Sequence, residues 1–359
     1  MPSRGGTSGR ASRSAGAQAV RPRSSEWAKW PDERLLDLRL CDLELSIERS
    51  WLADPIKQLY GELVARDLRF RPHFWLSNEW FCPAGVPGVA IPFYLAHPRL
   101  RRLEAKQMLE VEGGTRRQCM QILRHEAGHA LEHAFELRRR KRWQQLFGKS
   151  SKPYPDIYRP NPTSKRFVQH LPLWYAQSHP DEDFAETFAV WLTPRSRWRE
   201  RYVNWPAFKK LVYVDELMEE IASMKPKVTT RECVDPLPAL KTTLRAHYRE
   251  KHERYAPAFS DVYDHDLRRL FWDSRDTGAG IPAATFLGRN RREIRHMVAK
   301  WTGEYELTLD MVLRDMIGRC RELKLRAVGE ERDLKLDFAI LLTAKVVQYA
   351  HRGREWHAL

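Results

Sequence analysis

Apolar residues along this chain recur mainly every three or four positions, the period of a helix face, and only one short aromatic stretch reads as strand. Leu59, Tyr60 and Leu63 line one side of a segment that begins after Asp54-Pro55. Residues 70–82 and 89–95, separated by Gly85-Val86-Pro87-Gly88, read as two short strands around a turn. Pro87 and Pro92 cannot donate to a ladder, so a short antiparallel edge sheet is expected there. Met120, Leu123, Ala127, Ala130 and Ala134 make the apolar stripe of a helix from about 115 to 140. A loop containing Pro and Tyr, 149–162, leads to a second helix at about 180–192, with Phe184, Phe188 and Trp191 as its buried stripe and Thr193-Pro194 as its stop. Near the C-terminus, Val312, Met316, Cys320 and Leu323, then Leu334, Phe338, Leu341 and Tyr349, repeat at helical spacing. The fold class expected is α+β, mostly helical.

Breaks in this pattern divide the chain. Residues 1–25 are Ser, Gly, Arg and Ala with almost nothing to bury and read as a disordered basic tail. A main unit follows over 26–272, then a linker at 273–284 (DSRDTGAGIPAA) and a helical accessory unit at 285–359. No internal repeat is visible. At 42% hydrophobic, 30% charged and 11% aromatic, the 359 residues have the composition of a soluble globular protein. No apolar run is long enough to span a bilayer, and no apolar stretch follows the N-terminal arginines as in a secretory signal. Five scattered cysteines without a CxxC pair read as reduced thiols, so a cytoplasmic location is expected.

The net charge of +15 raises nucleic acid as a partner. Five arginines in 1–25 and the run Arg138-Arg139-Arg140-Lys141-Arg142 account for ten of those charges. A solvated tail and a solvated helix end explain them as well as a polyanion does.

The candidate chemistry lies on the two central helices. His125-Glu126-Ala127-Gly128-His129 is HExxH, which on a helix sets two imidazoles one turn apart on one face, where both reach one ion. Glu126 lies about 100° round the helix from His125, close enough to act as general base without ligating. His133 extends the row, but eight helical residues rise about 12 Å while zinc needs donors about 2 Å away, so it reads as a packing neighbour. Glu132 is expected to be solvated. A third donor must come from elsewhere, and the segment from Ser178 to Ala189 offers Glu182, with Glu186 one turn later to accept an N–H from a ligating histidine. Ser178 and Asp181 read as an N-cap pair. His179 is the main rival to Glu182, with His170, Cys82 and Cys119 as further candidates.

HEAGH followed by ExxxE on a later helix resembles the gluzincin zinc peptidases, and most closely the branch of the bacterial zinc-binding metallopeptidases and the anthrax lethal-factor-like proteases. The phrase HPDEDFAETFAVWL carries most of this likeness, which runs from about 40 to 255. The resemblance implies a zincin-like domain, Zn2+ as cofactor, Glu182 as third ligand, Glu186 as its supporting acid, and Tyr175, seven residues before Glu182, as a hydroxyl facing the metal. Glu186 stands where thermolysin-like members carry Asp.

The expected activity is therefore hydrolysis of a peptide or protein substrate. Glu126 moves the proton and Tyr175 donates to the developing oxyanion, while residues 70–95 offer an edge for the substrate backbone. Two other readings are a zinc-binding scaffold without turnover and a DNA-associated protease recruited by the basic tail.

Overall fold

The computed structural model describes residues 24–155, 158, 160–255, 263–273 and 279–351, with the backbone alone at 24–25 and 348–351. Most of the basic tail, the middle of the 273–284 stretch and the last eight residues lie outside them, as does the side chain of Tyr349. The described chain is mostly helical with two small sheets, and none of its helices is long and apolar enough to cross a membrane.

The HEAGH helix, Arg116–Phe135, is the axis of the larger hydrophobic core. Thr115 caps its start, its hydroxyl accepting from the Gln118 amide at 3.2 Å, and Glu136 ends it in a left-handed conformation at φ 52°. The helix therefore stops short of the arginine run. Its stripe packs against the acidic helix, Pro180–Leu192, whose Phe184, Phe188 and Trp191 are buried. On another side it meets the Ala53–Val64 helix, and there Arg124 donates from Nε and an Nη to the Glu62 carboxylate at 2.7 and 2.8 Å, both side chains buried. A pair this enclosed fixes the relative position of the helices, because either charge alone would be buried uncompensated.

The sheet beside this core corrects one expectation. β1 (His73–Ser77) and β2 (Gly88–Pro92) run parallel, with His73 opposite Gly88 and Ser77 opposite Pro92, so the antiparallel edge sheet does not form. The intervening residues make a crossover instead of a hairpin turn. Part of it returns antiparallel as a single bridge, in which the Ala90 amide donates to Phe81 O at 2.8 Å. Gly88 has a steric reason: a Cβ there would lie 2.3 Å from the His73 ring.

A second core gathers the C-terminal helices Ala283–Thr302, Glu306–Glu322 and Glu331–His351, with Met316, Cys320 and Phe338 buried in it. It also takes in Tyr263, Leu267 and Phe271, which precede the stretch read as a linker. The ends of that stretch hold β3 (Trp272–Asp273) and β4 (Ile281–Pro282), both antiparallel to β5 (Leu325–Ala327). The two cores touch where Leu307 packs into the first and the Tyr305 ring lies tilted against that of Tyr255, centroids 4.7 Å apart.

The arginine run is not a free helix end. Arg138 pairs with Glu132, Arg139 with Glu136, Arg140 with Glu220 and Arg142 with Glu216. Glu132, expected in solvent, is buried beneath Arg138 and accepts from its backbone amide at 3.0 Å.

Candidate metal centre

The crossing of the HEAGH helix and the acidic helix is unusually close, and Gly128 is the reason. A Cβ on Gly128 would sit 2.9 Å from the Ala185 Cα and 3.2 Å from both Ala185 O and Phe188 Cδ1. Glycine here lets the two backbones approach until side chains from both meet at one point. His125 Nε2 lies 3.0 Å from Glu182 Oε2, His129 Nε2 lies 3.1 Å from the same oxygen, and the two ring nitrogens are 3.1 Å apart. An ion about 2 Å from three atoms at tetrahedral angles holds them about 3.3 Å apart, so this spacing suits zinc. Two imidazole nitrogens and one carboxylate oxygen are also a donor set that zinc takes.

The supporting contacts orient these atoms. His125 Nδ1 faces Glu186 Oε1 at 2.9 Å, and the other Glu186 oxygen accepts from the Leu171 amide at 2.9 Å. A carboxylate only accepts, so Nδ1 carries the proton and Nε2 is the nitrogen turned to the centre. Tyr154, whose role the sequence reading missed, donates from its hydroxyl to Glu182 Oε1 at 2.8 Å and stacks on His179 with centroids 3.9 Å apart. Only its place in the Pro- and Tyr-containing loop ahead of the acidic helix hinted at it.

His179 is drawn away from the centre. Its Nδ1 accepts from the Asp181 amide at 3.2 Å and its Nε2 faces Lys152 O at 2.9 Å, so both nitrogens are engaged. It is thus the N-cap of the acidic helix, the place assigned to Ser178 with Asp181, while the Ser178 hydroxyl donates to Tyr175 O at 2.8 Å. In the acidic first turn, Asp181 accepts from Ser150 and Asp183 pairs with Lys210, which leaves Glu182 to face the histidines. His170 faces Gln121 O, Cys119 is in the core, and His133 packs on Arg138.

Glu126 and Tyr175 line the same cavity of about 370 Å³ as the three donors, together with Phe81, Cys82 and Ala84 from the crossover after β1. Both are buried, and the Tyr175 ring lies 5.6 Å from that of His125. Burial alone would lower the His125 imidazole, but Glu182 and Glu186 outweigh it and carry it up to about 10. Burial would raise Glu182, but His129 and His125 hold it well below the usual carboxylate range. Glu126 has no such hydrogen-bonded partner among the described residues: burial raises it, and the nearby imidazoles only partly oppose that. The phenol of Tyr175 is pushed far up by burial and by the Glu182 charge, so it stays a hydrogen-bond donor.

Residues 96–199 match a protein family described as "Putative zinc-binding metallo-peptidase", and that stretch contains His125, Glu126, His129, Tyr175, Glu182 and Glu186. No curated protein and no solved structure matches the chain.

Proposed function

We propose that this protein is a zinc-dependent metallopeptidase of the gluzincin type, with His125, His129 and Glu182 holding the ion. The observation that carries this reading is the convergence of His125 Nε2, His129 Nε2 and Glu182 Oε2 at 3.0–3.1 Å beside a buried Glu126 that has no hydrogen-bond partner among the described residues. The match of residues 96–199, which bear these side chains, to a family described as zinc-binding metallo-peptidases supports it. A zinc ion held there supplies Lewis-acid polarisation of a peptide carbonyl and makes water a nucleophile near neutral pH.

The chain's own groups do the rest. Glu126, raised by burial, takes the proton of the attacking water and passes it to the leaving amine. Tyr175 donates to the oxyanion that forms at the carbonyl. Glu186 fixes the His125 tautomer, and Tyr154 holds one Glu182 oxygen so that the other faces the histidines. An extended substrate adds along residues 81–84, the part of the expected edge that borders the cavity.

The test is elemental analysis of the purified chain together with cleavage of a degenerate peptide library. About one zinc per chain and cleavage abolished in Glu126→Gln with zinc retained are expected. Stoichiometric zinc persisting in both His125→Ala and His129→Ala would place the metal elsewhere. Library cleavage unchanged in Glu126→Gln would remove the proposed base.

A further inference from the structure

Tyr175 is also the wall of a second cavity. A space of about 540 Å³ opens on its far side, and Ile122, Leu171 and Tyr175 line both this space and the candidate metal cavity. Gln121 and Ile122 lie one helical turn before His125, roughly 5–6 Å along the axis, so the second cavity begins beside the reacting centre. Val111, Leu173 and Tyr305 give it apolar walls, and a space of this size suits a ligand group.

Into that apolar space come two acids, Glu110 and Glu112, from the loop between the Pro98–Met108 helix and the HEAGH helix. The loop is held at both ends. Leu109 is left-handed at φ 67°, and Gly113, at φ 69°, packs so closely that a Cβ would lie 3.1 Å from Trp80. Among the described residues neither carboxylate has a hydrogen bond or an ion pair; Glu110 is exposed and Glu112 half-buried. Burial and their mutual repulsion push Glu110 up to about 8, and burial pushes Glu112 up to about 7.

The nearby cations are committed elsewhere. Lys251 pairs with Glu104 at 2.8 Å, and Arg101 lies over Trp51 and donates to Gly114 O at 3.4 Å. Glu304 lines the space from the C-terminal helices, and Glu306, nearby, is already paired with Arg295 at 2.8 Å. In a chain with net charge +15, Glu110 and Glu112 are thus two carboxylates that share one space with no cation paired to either among the described residues. A second observation ties the space to the reacting centre. Tyr175, only 6% exposed, lines both cavities, and its hydroxyl has no hydrogen-bond partner among the described residues.

We propose that this cavity receives the side chain of an arginine or lysine of the substrate next to the bond that is cut, an assignment that rests on the peptidase reading above. The methylenes of such a side chain lie along Val111, Leu173 and Tyr305, and its charged head reaches Glu110 and Glu112. Gly303, Glu304 and Tyr305 complete the wall, which gives the C-terminal helices a part in substrate choice. Gly303 is needed at this junction because a Cβ there would lie 2.1 Å from Leu173 Cδ2.

Two measurements test the pocket. Cleavage profiling of a degenerate peptide library should show arginine and lysine enriched at one position flanking the cut, with the enrichment lost in Glu110→Gln/Glu112→Gln protein of unchanged zinc content. Should the double variant lose zinc, the single substitutions serve the same comparison. Independently of turnover, Glu126→Gln protein should bind a library with arginine fixed centrally about 10- to 100-fold more tightly than one with the uncharged isostere citrulline there, and this preference should vanish when Glu110→Gln/Glu112→Gln is added. Cleavage without a basic preference, or a preference that survives the double substitution, overturns the pocket and leaves the peptidase reading standing. Preference for arginine over citrulline in binding, with no cleavage by the unaltered protein, overturns the peptidase reading and leaves the pocket. Equal binding of the two libraries, or none, overturns the pocket.

Discussion

Two pairs of glutamates stand on opposite sides of Tyr175, and their surroundings treat the same side chain in opposite ways. Glu182 and Glu186 meet imidazole nitrogens at 2.9–3.1 Å, and Glu182 is held well below the usual carboxylate range despite complete burial. Glu110 and Glu112 pair with no cation among the described residues and are pushed up to about 8 and about 7. Burial acts upward on the titration of Glu182, Glu110 and Glu112 alike; the presence of a partner decides the outcome. The first pair is therefore built with its positive charge in place, which a metal ion can replace, whereas the second waits for a charge from outside the chain.

Substituting both carboxylates of the first pair and one of the second gives the largest expected contrast. Glu182→Gln should lower zinc affinity by more than about 100-fold, since it alters a donor, and Glu186→Ala by about 10- to 100-fold, since it only orients His125. Glu112→Gln should leave zinc affinity unchanged. Competition with a chelator reads all three. A fall with Glu112→Gln as large as that with Glu182→Gln would erase the distinction between the two cavities.

Tyr175 belongs to both sides, and its hydroxyl is assigned to the reaction. Tyr175→Phe should lower kcat on a peptide substrate by about 100-fold or more, with little change in KM or zinc content. Full kcat in Tyr175→Phe would leave it as a wall residue only.

The first cavity was largely legible from the sequence, because its information is local. Two histidines four apart on a helix, and two glutamates four apart on another, carry their geometry in their spacing. The bounds of Pro180–Leu192 were readable from its proline entry and its Thr193-Pro194 stop. What failed was long-range. Strands β1 and β2 are parallel because residues 78–87 cross over, and no local pattern distinguishes that from a hairpin. Glu132 looked solvated because its partner, Arg138, comes from beyond the helix end. Tyr154 reaches Glu182 from a loop, and Glu110, Glu112 and Tyr305 meet only through the packing of the two cores.

Gly128 tests how far the first site depends on close approach, whereas the second cavity is framed by a loop and a unit boundary. Gly128→Ala puts a methyl 2.9 Å from the Ala185 Cα, a contact that backbone must relieve. Overpacking of this kind costs about 1–3 kcal/mol, and the same separation of helices should weaken zinc binding. Denaturant unfolding with and without zinc measures both. Unchanged stability together with unchanged zinc affinity would show that the helices can separate without disturbing the donors.

The smallest effect separates the pairs by pH. A carboxylate whose folded pKa is raised binds its proton more tightly in the folded state, so ionising it weakens the fold as pH climbs from its unfolded value towards the folded one. For Glu110 and Glu112 that window runs from about 4.5 to about 8, and Lys251, Glu304, Glu306, Glu104, Glu126 and Glu79 are the other charges that bear on it. Removing the charges with Glu110→Gln/Glu112→Gln should raise Tm above that of the unaltered protein at pH 8. The difference should shrink towards zero near pH 4.5, where both proteins are uncharged at these positions in the folded state. Because Glu110 is exposed, the gain is expected to be a few degrees at most, about what 1 kcal/mol gives in a chain of this size. Thermal melts of the two proteins across that range read the difference directly, with effects from all other titrating groups cancelling. Adding arginine amide at pH 8 should narrow the gap, because the ligand's charge stabilises only the protein that retains the carboxylates. Melting curves that stay parallel from pH 4.5 to 8 would mean that these two acids are as well accommodated as Glu182, and the comparison between the cavities would fail.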